Sequence, residues 1–527
     1  MPGADRKYVL AIDLGSGGPK VGLVDDQGRV VASAFERNDM VLLPGGGAEQ
    51  DANQWWQTVL SASKKAIREA HVPAESIVAV GCTAQWSVTV AVDENGEPLM
   101  NALSWMDTRG APYNEEISRG FPSIDGYAVG KLINWIQKAG GVPVHRGNDS
   151  LGHMLFIQHE RPEIYQKTYK FLEPLDYINM RLTGKAACSQ STVWCSWMTD
   201  NRHWSSQTYD SWLVGVTGID PTKLPELLPN DGIVGTLSAS VASELGLSPV
   251  TPVIVGAYDN HTSALGSGAV EEYEAVAVLG TSGHLACHVP YKKTDLSSFI
   301  TTMPSPLRDR YLIFGDLGNN GKVLESYLGN YVYCRTAFSS QETPGDVYER
   351  MNQVVEGVPA GSGGVIFLPW FNGTMCPQED GAMRGGFVNL SHQTTQAHMT
   401  RAVLEGLAYN WRWLVGSAEK FVGRKFDHLR LAGGGALSAP WAQIMADVIG
   451  VPIHSQADPR NGNVIGIGLL ALNRLGLVNV EDFARLVQIG HVFEPREENR
   501  AVYDNLFGQF MACQKTLKPI FHALNRS

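Results

Sequence analysis

The sequence is poor in several features that would have placed it quickly. No apolar run is long enough to span a bilayer, and the N-terminal stretch MPGADRKYVL lacks the apolar core of a signal peptide. No basic block stands out in a chain with formal net charge −11 and a pI of about 5.7, which argues against a nucleic-acid or anionic-membrane partner. The seven cysteines form no CxxC pair, so a disulfide framework is not expected and free thiols in a reducing, cytoplasmic setting are. Two phosphate-binding signatures are also missing. After the apolar run VLAID, the turn LGSGGPK has neither the Gly-Lys-Ser/Thr of a P-loop nor a third glycine where a dinucleotide fingerprint needs one, because Lys20 stands there.

What is present is an ordinary globular composition, 44% hydrophobic and 18% charged, in 527 residues. That length exceeds one core and predicts two domains, placed at 1–251 and 252–527. The stretch KVGLVDDQGRVVASA alternates, breaks and alternates again, so the turn at Gly15 joins two antiparallel strands with no helix behind it. Half the chain later the design returns: Leu14-Gly15-Ser16-Gly17-Gly18 is echoed by Leu279-Gly280-Thr281-Ser282-Gly283. Helical spacing of Trp55, Val59, Ala62, Ala66 and Ala70 predicts a helix over 51–71 with Asp51 as its cap. A long helix over QTTQAHMTRAVLEGLAYNWRWLVGSAEKFV and another over APWAQIMADVIG complete a mixed α/β pattern with the domains closing on a cleft.

Either glycine turn alone reads as a plain hairpin. Two of them, one per half, expose backbone N–H groups that could grip a polyphosphate from both sides. Asp13, just before the first turn, suits a hydrated Mg²⁺. Asp259 and Asn260 follow the apolar run PVIVGAY, where a carboxylate could take a proton from a hydroxyl, although both residue types also favour caps and turns. Three glycines, Gly433, Gly434 and Gly435, lie between a strand and a helix, where a flat ligand can approach the backbone. Gln85, Trp86, Ser87, Trp105, Asp107 and Arg109 combine aromatic faces with polar groups, as a sugar site requires; core packing is the alternative for each tryptophan. His284, Cys287 and His288 have the spacing of a metal site on a helix, but the apolar alternation around them favours a strand and a structural role.

Taken together, AIDLGSGGPK, EQDANQWW, LSWMDTRG, GAYDNHTSALGSG, LGTSG, GGFVNLSHQTTQAHMTRAVLE and LAGGGALSAPW resemble the FGGY carbohydrate kinases, in that family's order, from about Tyr8 to about Val487. The resemblance implies an α/β, actin-like ATPase fold of two ribonuclease-H-like domains around a cleft, closing on ATP, Mg²⁺ and a small sugar or polyol. It implies Asp259 as the base, Asp13 as the group positioning Mg²⁺ through water, and Gly15, Ser16 and Lys20 in the first phosphate turn. It further implies Gly280, Thr281 and Ser282 in the second turn, and Gly433 to Gly435 beside the adenosine. Gln85, Trp86, Ser87, Trp105, Asp107, Arg109 and Asn260 fall in sugar-contacting segments. The expected reaction is phosphorylation of a terminal hydroxyl, first of a ketopentose such as D-xylulose, with other ketoses, ribulose, glycerol or a catalytically silent binding protein as alternatives. A homodimer is left open. The chain departs from the family pattern at Gly18-Pro19, at Trp86-Ser87 where Met-His is usual, at His153 and Phe156, and at Asn389 in place of a glycine.

Overall fold

The computed structural model describes residues 6–336 and 339–525. Two mixed sheets organise it, and each is built on the same five-strand plan. In the first, the hairpin Tyr8–Gly15 and Gly18–Asp25 continues antiparallel to Val30–Phe35, while Ile77–Ala84 and then Pro252–Ile254 add in parallel on the other side. In the second, Ala275–Leu279 and Ser282–Val289 form the hairpin, Tyr311–Asn319 continues it, and Leu429–Ala432 and Ile453–Gln456 add in parallel. The echo between the two glycine turns is therefore part of a repeat of whole-sheet topology. The first sheet continues past residue 251: Pro252–Ile254 and Ala257–Tyr258 both pair with Ile77–Ala84, which moves the domain boundary towards the C-terminus.

The predicted helices form where the apolar spacing put them. Ala52–Ala70 starts at Asp51, whose side chain accepts from the Asn53 N–H, and buries Trp55, Val59, Ala62 and Ala66. Its apolar stripe covers Leu10, Ile12 and Leu14, every second residue of the first strand. The alternate residues, Val9 and Ala11, point to the other face, so Asp13 does too. The second sheet repeats this arrangement. Leu285, Cys287, Ile313 and Leu317 pack in the C-terminal core under the helix Gln396–Val422. His284, Ala286, Leu312 and Phe314 take the opposite face, towards the first domain.

Between the inner faces lie two helices, Asp259–Ser267 and Gly462–Arg474. They cross so closely that a Cβ on Gly266 would sit 1.8 Å from the Gly462 carbonyl, and one on Gly466 would sit 2.1 Å from that of Thr262. The helix Gly462–Arg474 also packs on the first sheet, where a Cβ on Gly22 would meet Val464 and one on Gly81 would meet Ile467. One helix of the C-terminal half is thus seated on the N-terminal sheet, and the start of the other carries Asp259 into the space between the domains.

Candidate active site

The first turn is the two-residue connection Ser16-Gly17 between paired Gly15 and Gly18. Gly18 has φ +130°, and a Cβ there would lie 2.0 Å from the Glu36 carbonyl. Glycine is therefore required at this departure from the family pattern. Pro19 stays in the strand, and its carbonyl accepts from the Glu36 N–H. Lys20 lies across the hairpin from Asp13, and its ammonium donates to the Arg460 carbonyl.

Ser16 joins the first glycine turn to Gln85, Gln50 and Trp105. Its Oγ donates to Gln85 Oε1 at 2.6 Å and accepts from Trp105 Nε1 at 3.1 Å. Gln85 Nε2 donates to Gln50 Oε1 at 2.8 Å, and Gln50 Nε2 donates to the Ser16 carbonyl at 2.9 Å. Trp105 keeps 40% of its surface exposed, leaving a ring face free to stack on a ligand. Ser87 Oγ donates to the Asn148 carbonyl, and Asn148 Nδ2 donates to that of Trp105, which holds this wall together.

Asp107 and Arg109, expected in a sugar-contacting segment, are bonded to each other and to the wall around them. Asp107 is fully buried and accepts from the Ala48 N–H, while Arg109 is divided between Asp107 and Glu49, at 2.6 and 2.7 Å, above the Phe156 ring. The guanidinium Nε and Nη2 are engaged within the wall by Asp107 and Glu49. Phe156, a departure in sequence, is the ring beneath that guanidinium. His153 is buried with its ring between Thr89 Oγ1 and the Asp107 carbonyl, and burial holds its pKa down at about 4. Asn389 takes the φ of +69° that a glycine would supply, and its side chain bonds the Gly364 carbonyl.

Trp86 reaches across the domain boundary. It stacks on Trp194 at 5.7 Å and meets Tyr258 and, from the second sheet, Phe314 edge-on at 5.7 and 4.8 Å. The structure shows Trp86 as packing, and that packing joins the two domains.

Asp259 occupies the first turn of its helix, where the N-terminal dipole favours a negative charge, and its Oδ1 accepts from the Asn260 N–H at 2.8 Å. It remains partly exposed, as do Asp13 and a third carboxylate, Asp316. Burial pushes the Asp259 pKa up to about 7, and the charges of Asp13 and Asp316 add to the rise. Asp13 is pushed up to about 6 by burial, opposed by Lys20 and a hydrogen bond from Asn463. Asp316 is likewise pushed up to about 6 by burial, opposed by the bond its Oδ1 accepts from the Gly318 N–H. Asn260 is buried with its Nδ2 donor lacking a partner.

The second turn is held by the chain entering the helix Gly321–Tyr327: Asn320 and Lys322 N–H donate to the Thr281 carbonyl, and Gly321 N–H to that of Gly280. Thr281 and Ser282 are exposed. The triple glycine lies directly against this turn. A Cβ on Gly433, which has φ +84°, would lie 2.7 Å from the Leu279 carbonyl, and one on Gly435 would lie 2.6 Å from Leu279 Cβ. The strand Ser282–Val289 runs through the suggested metal triad, placing His284 and His288 on one face about 13 Å apart with Cys287 on the other. No group of three or more His, Cys, Asp or Glu among the described residues could hold a metal. A divalent cation beside Asp13 would have one protein carboxylate and otherwise water and phosphate oxygens, a set that suits Mg²⁺.

Two domains of repeated topology, with carboxylates between them and glycine hairpins at their edges, make this an actin-like ATPase-type fold of the kind found in sugar kinases. The family comparison specifies which. Residues 8–266 match the N-terminal domain of the FGGY family of carbohydrate kinases and residues 275–473 match its C-terminal domain; the chain belongs to that family and is a carbohydrate kinase. It is 28% identical over 524 residues to a xylulose kinase of Staphylococcus epidermidis, covering 98% of both chains. It is 26% identical over 521 residues to a gluconokinase of Bacillus subtilis, covering 98% of this chain and 96% of the other. Among solved structures, the ligand-bound xylulose kinase of Lactobacillus acidophilus has the same fold, with a TM-score of 0.84 at 23% identity over 98% of this chain and all of that one. No helix among the described residues is long and apolar enough to cross a membrane.

Proposed function

We propose that the chain transfers the terminal phosphoryl group of ATP to a terminal hydroxyl of a ketopentose such as D-xylulose. The observation that carries this reading is Asp259: a partly exposed carboxylate between the domains, its pKa raised to about 7, with a second carboxylate at the end of the first phosphate strand. A base poised near neutrality takes a proton most effectively in the transition state. In the proposed reaction the acceptor oxygen attacks the γ-phosphorus and the bond to the β-phosphate oxygen breaks. The hydroxyl proton passes to an Asp259 oxygen, and ADP leaves with the electron pair. Phosphoryl transfer needs in-line placement and charge stabilisation more than covalent help. Gly15 and Ser16 on one side, and Gly280, Thr281 and Ser282 on the other, offer N–H and hydroxyl donors for the phosphates. Gly433, Gly434 and Gly435 border the adenosine, where the absence of side chains leaves room for a flat base. Lys20 acts by offsetting Asp13. When bound beside Asp13, Mg²⁺ supplies charge neutralisation on the phosphates.

On the acceptor side, Trp105 offers its open ring, Gln85 and Asn260 offer amides, and Trp86 with Ser87 limits the depth of the pocket. The test is ADP release measured across ketopentoses, ketohexoses, glycerol and sugar acids. Stimulation by D-xylulose well above the basal rate supports the reading. A larger response to glycerol or another polyol changes the substrate, and no response to any of them removes the transfer activity.

A further inference from the structure

The relatives include kinases whose names carry a neutral sugar and others whose names carry a sugar acid, so the acceptor's charge is the open question. The second sheet addresses it. In the strand Tyr311–Asn319, Ile313 and Leu317 point into the C-terminal core, while Leu312 and Phe314 point towards the first domain. Asp316 continues the second set, two residues beyond Phe314, the ring that meets Trp86 between the domains. Directly across the sheet from Asp316 stands His284. His284 Nε2 is 3.3 Å from Ser263 Oγ, which donates to the Asn260 carbonyl in the helix that Asp259 begins. Asp316 thus shares its sheet face with Phe314 and His284, and His284 is linked through Ser263 to the helix that Asp259 begins.

The charge of this wall is not balanced. Burial pushes His284 down to about 4, so it is neutral at physiological pH. Among the described residues no lysine, arginine or histidine is ion-paired with Asp316, and its Oδ1 is engaged only by the Gly318 N–H. Lys20 faces Asp13, and Arg109 is held by Glu49 and Asp107. Three carboxylates, Asp316, Asp259 and Asp13, thus act on one another in this region. Hydroxyl groups can donate to the free Asp316 oxygen and accept from the unpartnered Asn260 Nδ2. A carboxylate cannot donate to Asp316 and is repelled by it.

We infer that Asp316, set beside neutral His284 on the inner face of the second sheet, is a specificity-determining residue that makes the site select uncharged ketoses and polyols over sugar acids. This rests on the kinase reading of the site, and it adds an acceptor class to it.

The test uses matched pairs that differ only in a terminal CH₂OH or carboxylate: xylitol with D-xylonate, and D-glucitol with D-gluconate. Binding calorimetry on the full chain reads each ratio of affinities, so a general loss of affinity cancels. The neutral member should bind at least about tenfold more tightly in the wild type, and Asp316→Asn should narrow that ratio about tenfold. Asp316→Glu should retain it. A wild-type protein that binds the acid as tightly as the polyol overturns the inference, and so does a ratio unmoved in a folded Asp316→Asn protein. If the polyols bind with the expected preference while no sugar releases ADP, the discrimination stands and the transfer reading falls.

Discussion

Replacing Asp259 with asparagine should make the protein more stable and nearly inactive, and the two effects can be measured on one sample. The rise of this carboxyl from 3.8 to about 7 corresponds to about 4 kcal/mol of penalty on its ionised form. The group is partly exposed, and solvent screening cuts this to about 2 kcal/mol. Because the folded-state value lies above the unfolded one, wild-type stability is highest below about pH 4 with respect to this group and falls as pH rises to about 7. Asparagine carries no charge and can accept the Asn260 N–H bond in the same way, so it escapes the penalty. Thermal unfolding should show the variant about 4 °C above wild type at pH 8, for a domain near 250 residues, and level with it at pH 4. Turnover should fall by two or more orders of magnitude, with ATP affinity largely kept. Equal melting temperatures at pH 8, or a gain of the same size at pH 4, would refute the electrostatic reasoning. Near-normal turnover would remove Asp259 as the base.

The pH profile of kcat/KM should lose activity below about pH 7 as one group protonates, and Asp316→Asn should move that limb to lower pH by removing one of the charges that raise Asp259. Trp86→Ala removes the contacts to Trp194, Tyr258 and Phe314, so it should cost about 3 kcal/mol in urea unfolding and raise KM for the sugar more than for ATP. Gly466→Ala brings a Cβ within 2.1 Å of the Thr262 carbonyl where the two central helices cross; a loss of about 3 kcal/mol is expected, read by the same unfolding experiment.

Much of the architecture was legible because period and punctuation reported it. The two hairpins, the Asp51 cap and the long helix Gln396–Val422 follow from alternation, glycine position and helical spacing. What could not be read was which polar group is already engaged. Arg109 looks free in LSWMDTRG, yet Glu49 and Asp107 hold its guanidinium, and Glu49 lies some sixty positions away. Gln50 sits in EQDANQWW, where nothing in the sequence signals that it bonds both Gln85 and Ser16. Asp316 was missed because YLIFGDLGNN reads as a strand running into a turn, and only the sheet register puts its side chain on the inner face. The available signal was parity: Asp316 shares its phase with Phe314, not with Leu317. The spacing of His284, Cys287 and His288 gives no sign that His284 stands across the sheet from Asp316, which only the register shows.

The most direct test of the account is a crystal structure of the chain with ADP and the ketose that best stimulates ADP release. It should place the β-phosphate between the backbone amides of Gly15–Gly18 and Gly280–Ser282, with a terminal hydroxyl of the sugar within hydrogen-bond reach of an Asp259 oxygen. A nucleotide seated away from either hairpin, or a sugar with no hydroxyl near Asp259, would contradict it.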